Sequence, residues 1–421
     1  MTSSFLIAKN LRNERSYFMR AVEIKKGVYW VGGVDWNIRE FHGYKTPRGT
    51  SYNAYLIIDE KITLVDTVKS YLADELIDRI SQIIDVEKID YVVCNHVEMD
   101  HSGAIPDIMK KAPNATIITN MLGKKGLEDH FETDDWNFEI IKNKQEISIG
   151  EKTLQFVTTP MLHWPDSMMT YVKEEKLLLP NDGFGQHMAP ANVYARNNGL
   201  DTVLSEAKKY FANILYPFCN QANKAFKGID GLEIDMIAPS HGCIWKGKEE
   251  VELILSSYRE WVKQEGCDKA VIVYDSMYGA TETLATAVKS EFEDNGIEVT
   301  YRCLSVDDMS DVIVDFIDAK YVAIGSPTLN KNIFPRVAAF ITYMKGLDPK
   351  NKIGFTFGSY GWEKGTLNAI QTIMQDLKWE TPLEPFEVKY TPRCNAVNEI
   401  KEEVKALLSS AKKSDGVQKA S

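Results

Sequence analysis

From residue 265 to 410, short apolar runs and helix-period segments alternate five times, and this regularity constrains the fold more than any other feature of the chain. The runs are AVIVYDS, VTYRCLSV, YVAIGSP, KIGFTFGS and LEPFEVKY; the helical patterns lie at 281–295, 310–318, 334–345, 363–378 and 397–410. Apolar runs lacking polar alternation read as strands buried on both faces. Parallel neighbours need a crossover between them, and here each connection is a helix. The pattern predicts a doubly wound five-stranded parallel sheet, whose ligand site lies at the carboxyl ends of its strands.

Residues 21–264 read differently. Strand-like runs such as AVEIKKGVYWVGGV, SYNAYLIID, KITLVDT, YVVCNH, ATIITN, LQFVTT and KLLLPND outnumber helical patterns, which lie at 69–84, 201–215 and 248–264. Turn signals such as APNA, IGEK and NDG separate them. Stacked sheets flanked by helices are expected, with the domain boundary near 265. At ~150 residues per domain, 421 residues suit two or three domains. Residues 1–20 are read as an N-terminal extension and 411–421 as a frayed, aperiodic tail.

Composition removes several classes of function. No apolar run approaches the ~20 residues of a membrane helix. A net charge of -11 counts against nucleic acid and anionic membrane as partners. The 6 cysteines (94, 219, 243, 267, 303 and 394) contain no CxxC spacing, which argues against a disulfide framework, a zinc ribbon or an iron–sulfur run. A reducing, cytoplasmic setting follows. The amino terminus lacks a secretory apolar region but is acid-free up to Glu14, which leaves a short organelle presequence open.

The 7 histidines are at 42, 96, 101, 130, 163, 187 and 241. After the buried run YVVCN come His96, Glu98, Asp100 and His101 within HVEMDHSG. Where a strand end curls into a loop, residues 96, 98 and 100 can converge, with 101 turning in behind. His163, Asp182 and His241 each follow another strand-like run. A single histidine at a strand end is ordinarily just a hydrogen-bonded polar residue, and His42, His130 and His187 are read that way, with His42 a candidate for the pocket rim. Four donors in six residues are harder to dismiss. Imidazoles and carboxylates without thiolate suit iron or manganese as well as zinc. Seven donors exceed the needs of one ion but suit two ions sharing a carboxylate. Two divalent ions, three carboxylates and one hydroxide also sum to neutrality, which limits the cost of burial. Cys94 and Cys243, beside donors, are read as small buried residues.

In the second half, the first strand ends in Ser276, Met277, Tyr278, Gly279, Ala280 and Thr281 and opens into a helix. Hydroxyls and backbone N–H groups at a helix start form an anion cradle. The third strand ends in Gly325, Ser326, Pro327, Thr328, Leu329 and Asn330, and the fourth in Gly358, Ser359, Tyr360, Gly361 and Trp362. These loops share the carboxyl edge and could flank a planar ring.

HVEMDHSG, His163, the Asp182 of NDGFG and the His241 of PSHG resemble the flavodiiron branch of the metallo-β-lactamase fold, and the second half resembles flavodoxin. The resemblance covers about 21–410 and implies an αββα di-iron domain followed by a flavodoxin-like FMN domain. Zinc hydrolases of that fold carry His where this chain has Glu98. By the resemblance, His96, Glu98 and His163 hold one iron and Asp100, His101 and His241 the other, with Asp182 bridging. In some members of the family the equivalent of His101 swings away. The three loops would hold FMN. The implied activity is reduction of dioxygen to water, nitric oxide to nitrous oxide, or both. Electrons would come from a separate rubredoxin or flavin reductase, within a head-to-tail homodimer or a dimer of dimers. Two other readings compete: a di-zinc hydrolase fused to a flavodoxin module, and a redox sensor or electron carrier.

Overall fold

The structure, a computed structural model, describes residues 20–418. The expected extension, and any presequence within it, lies outside the described residues except for Arg20. The chain divides into two compact units. One comprises the residues up to Tyr210 together with Asn220–Tyr258, and the other comprises Phe211–Cys219 and the chain from Arg259 onward. A single cut near 265 therefore misses the short segment after Tyr210.

In the first unit a seven-stranded sheet runs in the order Val22–Lys25, Val28–Trp30, Tyr55–Ile57, Thr63–Val65, Tyr91–Val93, Thr116–Thr119, Asn137–Ile140. A six-stranded sheet runs Glu146–Ser148, Thr153–Thr158, Met168–Val172, Leu177–Leu179, Met236–Ile237, Trp245–Lys246. Successive side chains of a strand point to opposite faces, and here both faces are covered. Tyr55, Ile57, Val65, Val93 and Ile118 join Leu154, Phe156, Met168 and Leu177 in the core between the sheets. Leu56, Leu64, Val92 and Ile117 pack on the other side with Leu76, Ile80, Ile105 and Ile108 from two helices. Strands covered on both faces carry apolar residues on both sides of the sheet.

Helices form near the expected 69–84, 201–215 and 248–264, at Ala73–Ser81, Leu200–Tyr210 and Lys248–Trp261, the second continuing as a π-helical turn over Phe211–Leu215. Helices at Ile105–Lys111, Met121–His130 and Cys219–Ile229 were not anticipated. Met121–His130 contains two glycines, which weakens its helical signal. Asn120 caps it by accepting from the Leu122 and Gly123 amides at 3.0 Å. A β-carbon at Gly126 would come within 2.8 Å of Val97, so this helix lies against the chain between His96 and Glu98.

In the second unit, Glu298–Cys303, Cys267–Tyr274, Ala319–Gly325, Ile353–Tyr360 and Phe386–Lys389 lie side by side in that order, all parallel. This is the doubly wound sheet expected. Two details differ. The fourth helix starts at Leu367, because 361–366 form a loop in which Gly365 takes φ 99°. The last helix runs Cys394–Gln418, so helix covers positions 411–418, which were expected to fray. Among the described residues, no helix is long and apolar enough to cross a membrane.

Candidate metal centre and flavin loops

The seven donors of the first unit gather into two adjoining groups at strand ends, His96, Glu98, His163 and Asp182 in one and Asp100, His101 and His241 in the other. His96 and Glu98 lie in the loop after Tyr91–Val93, whereas Asp100 and His101 lie on a single helical turn, Met99–Ser102. The turn explains why Asp100 does not converge with 96 and 98 as strand alternation would have it. Helical geometry carries it to the other group. Asp182 serves both groups. Its Oδ2 is 3.4 Å from His163 Nε2 and 3.8 Å from His96 Nε2, while its Oδ1 is 3.1 Å from His101 Nε2 and 3.3 Å from His241 Nε2. Glu98 Oε2 lies 3.2 Å from His163 Nε2, and Asp100 Oδ2 lies 3.2 Å from His241 Nε2.

These donors fit metal ions. Ligand atoms about 2.1 Å from a shared ion stand roughly 3.0–3.4 Å apart in octahedral or tetrahedral geometry. His96 Nε2, both Asp100 oxygens and Asp182 Oδ2 are buried without a hydrogen-bond partner. Orphaned atoms of that kind are costly unless something fills the space between them.

Surrounding groups fix the donors. His96 Nδ1 is 2.9 Å from Asp166 Oδ2, and His241 Nδ1–H donates to the Ser51 carbonyl at 2.8 Å, leaving Nε2 of each directed at the centre. Asp66 accepts from the amide and side chain of Asn95, both at 2.9 Å, from Asn181 at 3.2 Å and from Ser240 at 3.4 Å. Each of these partners immediately precedes a donor (His96, Asp182 and His241). One buried carboxylate thus registers three strand ends. Tyr210 donates to Asp182 Oδ1 at 2.8 Å, and His42 Nε2 sits 2.7 Å from Glu98 Oε1. His187 is buried, 2.7 Å from Thr50 Oγ1, with its ring 4.7 Å from that of His241. Burial and the neighbouring His241 push its pKa far down, so it is neutral.

In the second unit the three loops meet at the carboxyl edge of the parallel sheet. Gly279, in the left-handed region at φ 79°, turns the chain into the helix Ala280–Asp294. Thr281 Oγ1 and Ser359 Oγ are 3.1 Å apart, which joins the first loop to the third. A β-carbon at Gly358 would lie 2.0 Å from the Ser326 carbonyl, so only glycine permits the second and third loops to approach this closely. Ser276 Oγ is buried without a hydrogen-bond partner. Tyr360 is partly buried, while Met277, Tyr278 and Trp362 are 42%, 96% and 84% exposed. A cradle with a spare hydroxyl and an aromatic rim fits a phosphate and a flat ring.

Residues 50–242 match the ODP family of beta lactamases and residues 272–403 match flavodoxin. A nitric oxide reductase of Moorella thermoacetica is 45% identical over 377 residues, spanning 88% of this chain and 94% of the relative. The structure of the rubredoxin oxygen:oxidoreductase of Desulfovibrio gigas superposes with a TM-score of 0.91 at 37% identity, over 93% of this chain and 99% of that one. The flavodiiron protein of Giardia intestinalis superposes at 0.89 with 36% identity, over 92% and 95%. The chain belongs to the flavodiiron family.

Flavodiiron membership accounts for the joining of the two folds, but Asp166 and Tyr210 beside the centre escape the sequence reading, and His187 is read there as an ordinary polar residue. Asp166, Tyr210 and His187 carry no local signal that ties them to the donors. They lie at distant sequence positions and meet the donors only through sheet stacking. His42 had been placed at the rim, and the structure puts it on Glu98.

The metal-free flavodiiron centre should be sensitive to pH. Burial lowers the pKa of His163 and His241, but hydrogen bonds to carboxylates outweigh it and raise them to about 9 and about 10. The same histidines titrate near ~6.5 when unfolded. The folded metal-free chain therefore binds more protons than the unfolded chain between those values. This stabilisation is complete below the window and is lost as pH rises through it. Iron held by these histidines would need both imidazoles unprotonated, so its binding should strengthen over the same interval. Denaturant unfolding of iron-free protein should show the decline, and a stability flat across the window would contradict it.

Proposed function

We propose that this chain reduces dioxygen to water, nitric oxide to nitrous oxide, or both, with electrons passing from an external donor through FMN to a di-iron centre. Asp182 carries the reading, with one carboxylate oxygen toward each donor group. His96, Glu98 and His163 would hold one iron and Asp100, His101 and His241 the other, with Asp182 shared between the two groups. Glu98 favours redox-active iron over zinc, because it places a hard carboxylate where the zinc hydrolases carry imidazole. When bound, the metals polarise the diatomic substrate and exchange electrons with it, and FMN carries those electrons.

The protein's own part is positional. Asp166, Ser51 and Asp66 hold the donors in register. Tyr210 keeps a hydroxyl proton on Asp182 Oδ1, and His42 holds Glu98 Oε1 at the half-exposed mouth. Phe41, Tyr52 and His187 wall the His241 side with rings and keep bulk water out.

Residues 276–281, 326–330 and 358–362 would hold the flavin. The exposed Met277, Tyr278 and Trp362 of those loops suit coverage by a second copy, in a head-to-tail homodimer or a dimer of dimers. The rubredoxin in the name of the D. gigas relative supports a rubredoxin donor here, with a flavin reductase the other candidate. The cysteines are free, which supports a cytoplasmic setting.

The test is metal and flavin analysis with turnover. About two irons and one FMN per chain are expected after iron-replete expression. With one donor, anaerobic consumption of nitric oxide is compared with aerobic consumption of dioxygen. Two zincs in place of iron, or no consumption of either gas, would sink the proposal.

A further inference from the structure

The flavin cradle rests on a charge that ought to oppose it. Asp275 directly follows the strand Cys267–Tyr274, opens the 276–281 loop and is 1% exposed. Its Oδ1 accepts from the Ser276 amide at 2.7 Å, and its Oδ2 accepts from Arg336 Nη1 at 3.0 Å. The first bond takes the Ser276 N–H for the carboxylate and pins the start of the loop. With a phosphate on the 276–281 loop, it would also leave a buried anion close to that dianion, where like charges repel strongly for want of water.

Arg336 is equally out of place by itself. It is the second residue of the helix Pro335–Leu347, and a cation in a first helical turn opposes the helix dipole. No acidic residue occupies that turn to offset it. The side chain is 56% exposed, yet its guanidinium reaches a carboxylate that is almost wholly buried. Each charge is unfavourable alone, and together they cancel.

We infer that Arg336 is a positioning residue for the flavin phosphate, acting through Asp275: it neutralises the carboxylate, which can then pin the loop without repelling the phosphate. The inference rests on the FMN reading of these loops and adds a residue outside all three of them.

The experiment uses the full chain, iron-loaded and stripped of flavin, titrated with FMN and with riboflavin, which has no phosphate. Wild-type protein should bind FMN. Arg336→Gln should weaken FMN about tenfold or more while changing riboflavin less than about threefold, because only FMN brings the second anion. Asp275→Asn should bind FMN at least as tightly as wild type. The double variant Asp275→Asn/Arg336→Gln should return to within about threefold of wild type, since both charges are gone. The Asp275→Asn and double variants keep the test decisive if Arg336→Gln alone folds poorly.

Unchanged FMN affinity in Arg336→Gln would overturn the inference. So would equal losses for both flavins, which would mean general loop damage. A double variant as weak as Arg336→Gln would show that the guanidinium holds the phosphate itself. Wild-type protein that binds no FMN would overturn the flavin reading and this inference with it, whereas failure in the variants alone leaves the flavin reading standing.

Discussion

Replacing Asp182 with Asn should remove both irons together and cut turnover by at least about a hundredfold, as expected when one carboxylate holds two metal ions. The side chain is 2% exposed and faces four imidazoles, two through each oxygen. An amide keeps the shape but replaces one oxygen with an N–H₂ that offers no lone pair to a metal. It also removes a negative charge from a site that balances two divalent ions, and it changes what Tyr210 donates to. A ligand serving one group behaves differently, so His163→Ala should spare part of the second iron. Iron per chain and consumption of dioxygen and nitric oxide are the measurements. Loss of a single iron from Asp182→Asn with normal turnover would show that the residue does not bridge.

Two inactive variants should restore one another when mixed. Glu98→Ala lacks a competent metal centre. Gly279→Val/Thr281→Val lacks flavin, because the left-handed φ of 79° at Gly279 excludes a β-branched residue and Thr281 loses the hydroxyl that meets Ser359. Electron transfer weakens steeply with distance, and a two-fold head-to-tail dimer would set each flavin against the partner's irons. Unfolded together and refolded with both cofactors, the variants should form some heterodimers in which an intact flavin faces an intact metal centre. Activity should then rise from background to a substantial fraction of wild type. Transfer within one chain would leave every subunit short of one cofactor, and the mixture would stay dead. Verified heterodimers without gas reduction would eliminate the cross-subunit route.

The sequence by itself determined what depends on neighbours within a few residues. Five buried runs alternating with helices required a parallel sheet, because each crossover helix must cover a face of the strands it joins. Strand ends were equally legible, and so were the donors and glycines they carry: His96 after YVVCN, Asp182 after KLLLPN, Gly279 after AVIVYDS. Strand-like runs outnumbering helical patterns in the first half also announced stacked sheets flanked by helices.

Only the tertiary structure decided how those ends combine. The turn at Met99–Ser102 moved Asp100 away from Glu98, since alternation holds only while the chain stays extended. Asp66 ties Asn95 at a separation of 29 residues and Ser240 at 174. No local pattern encodes such bonds, because they follow from which strands are adjacent. His42, Asp166, His187 and Tyr210 reach the centre in the same way. The segment Phe211–Cys219 extends a helical pattern of the first half yet groups with the second unit. Periodicity records only that one face of a helix is buried. What buries that face is settled when distant parts of the chain compete for the same apolar surface.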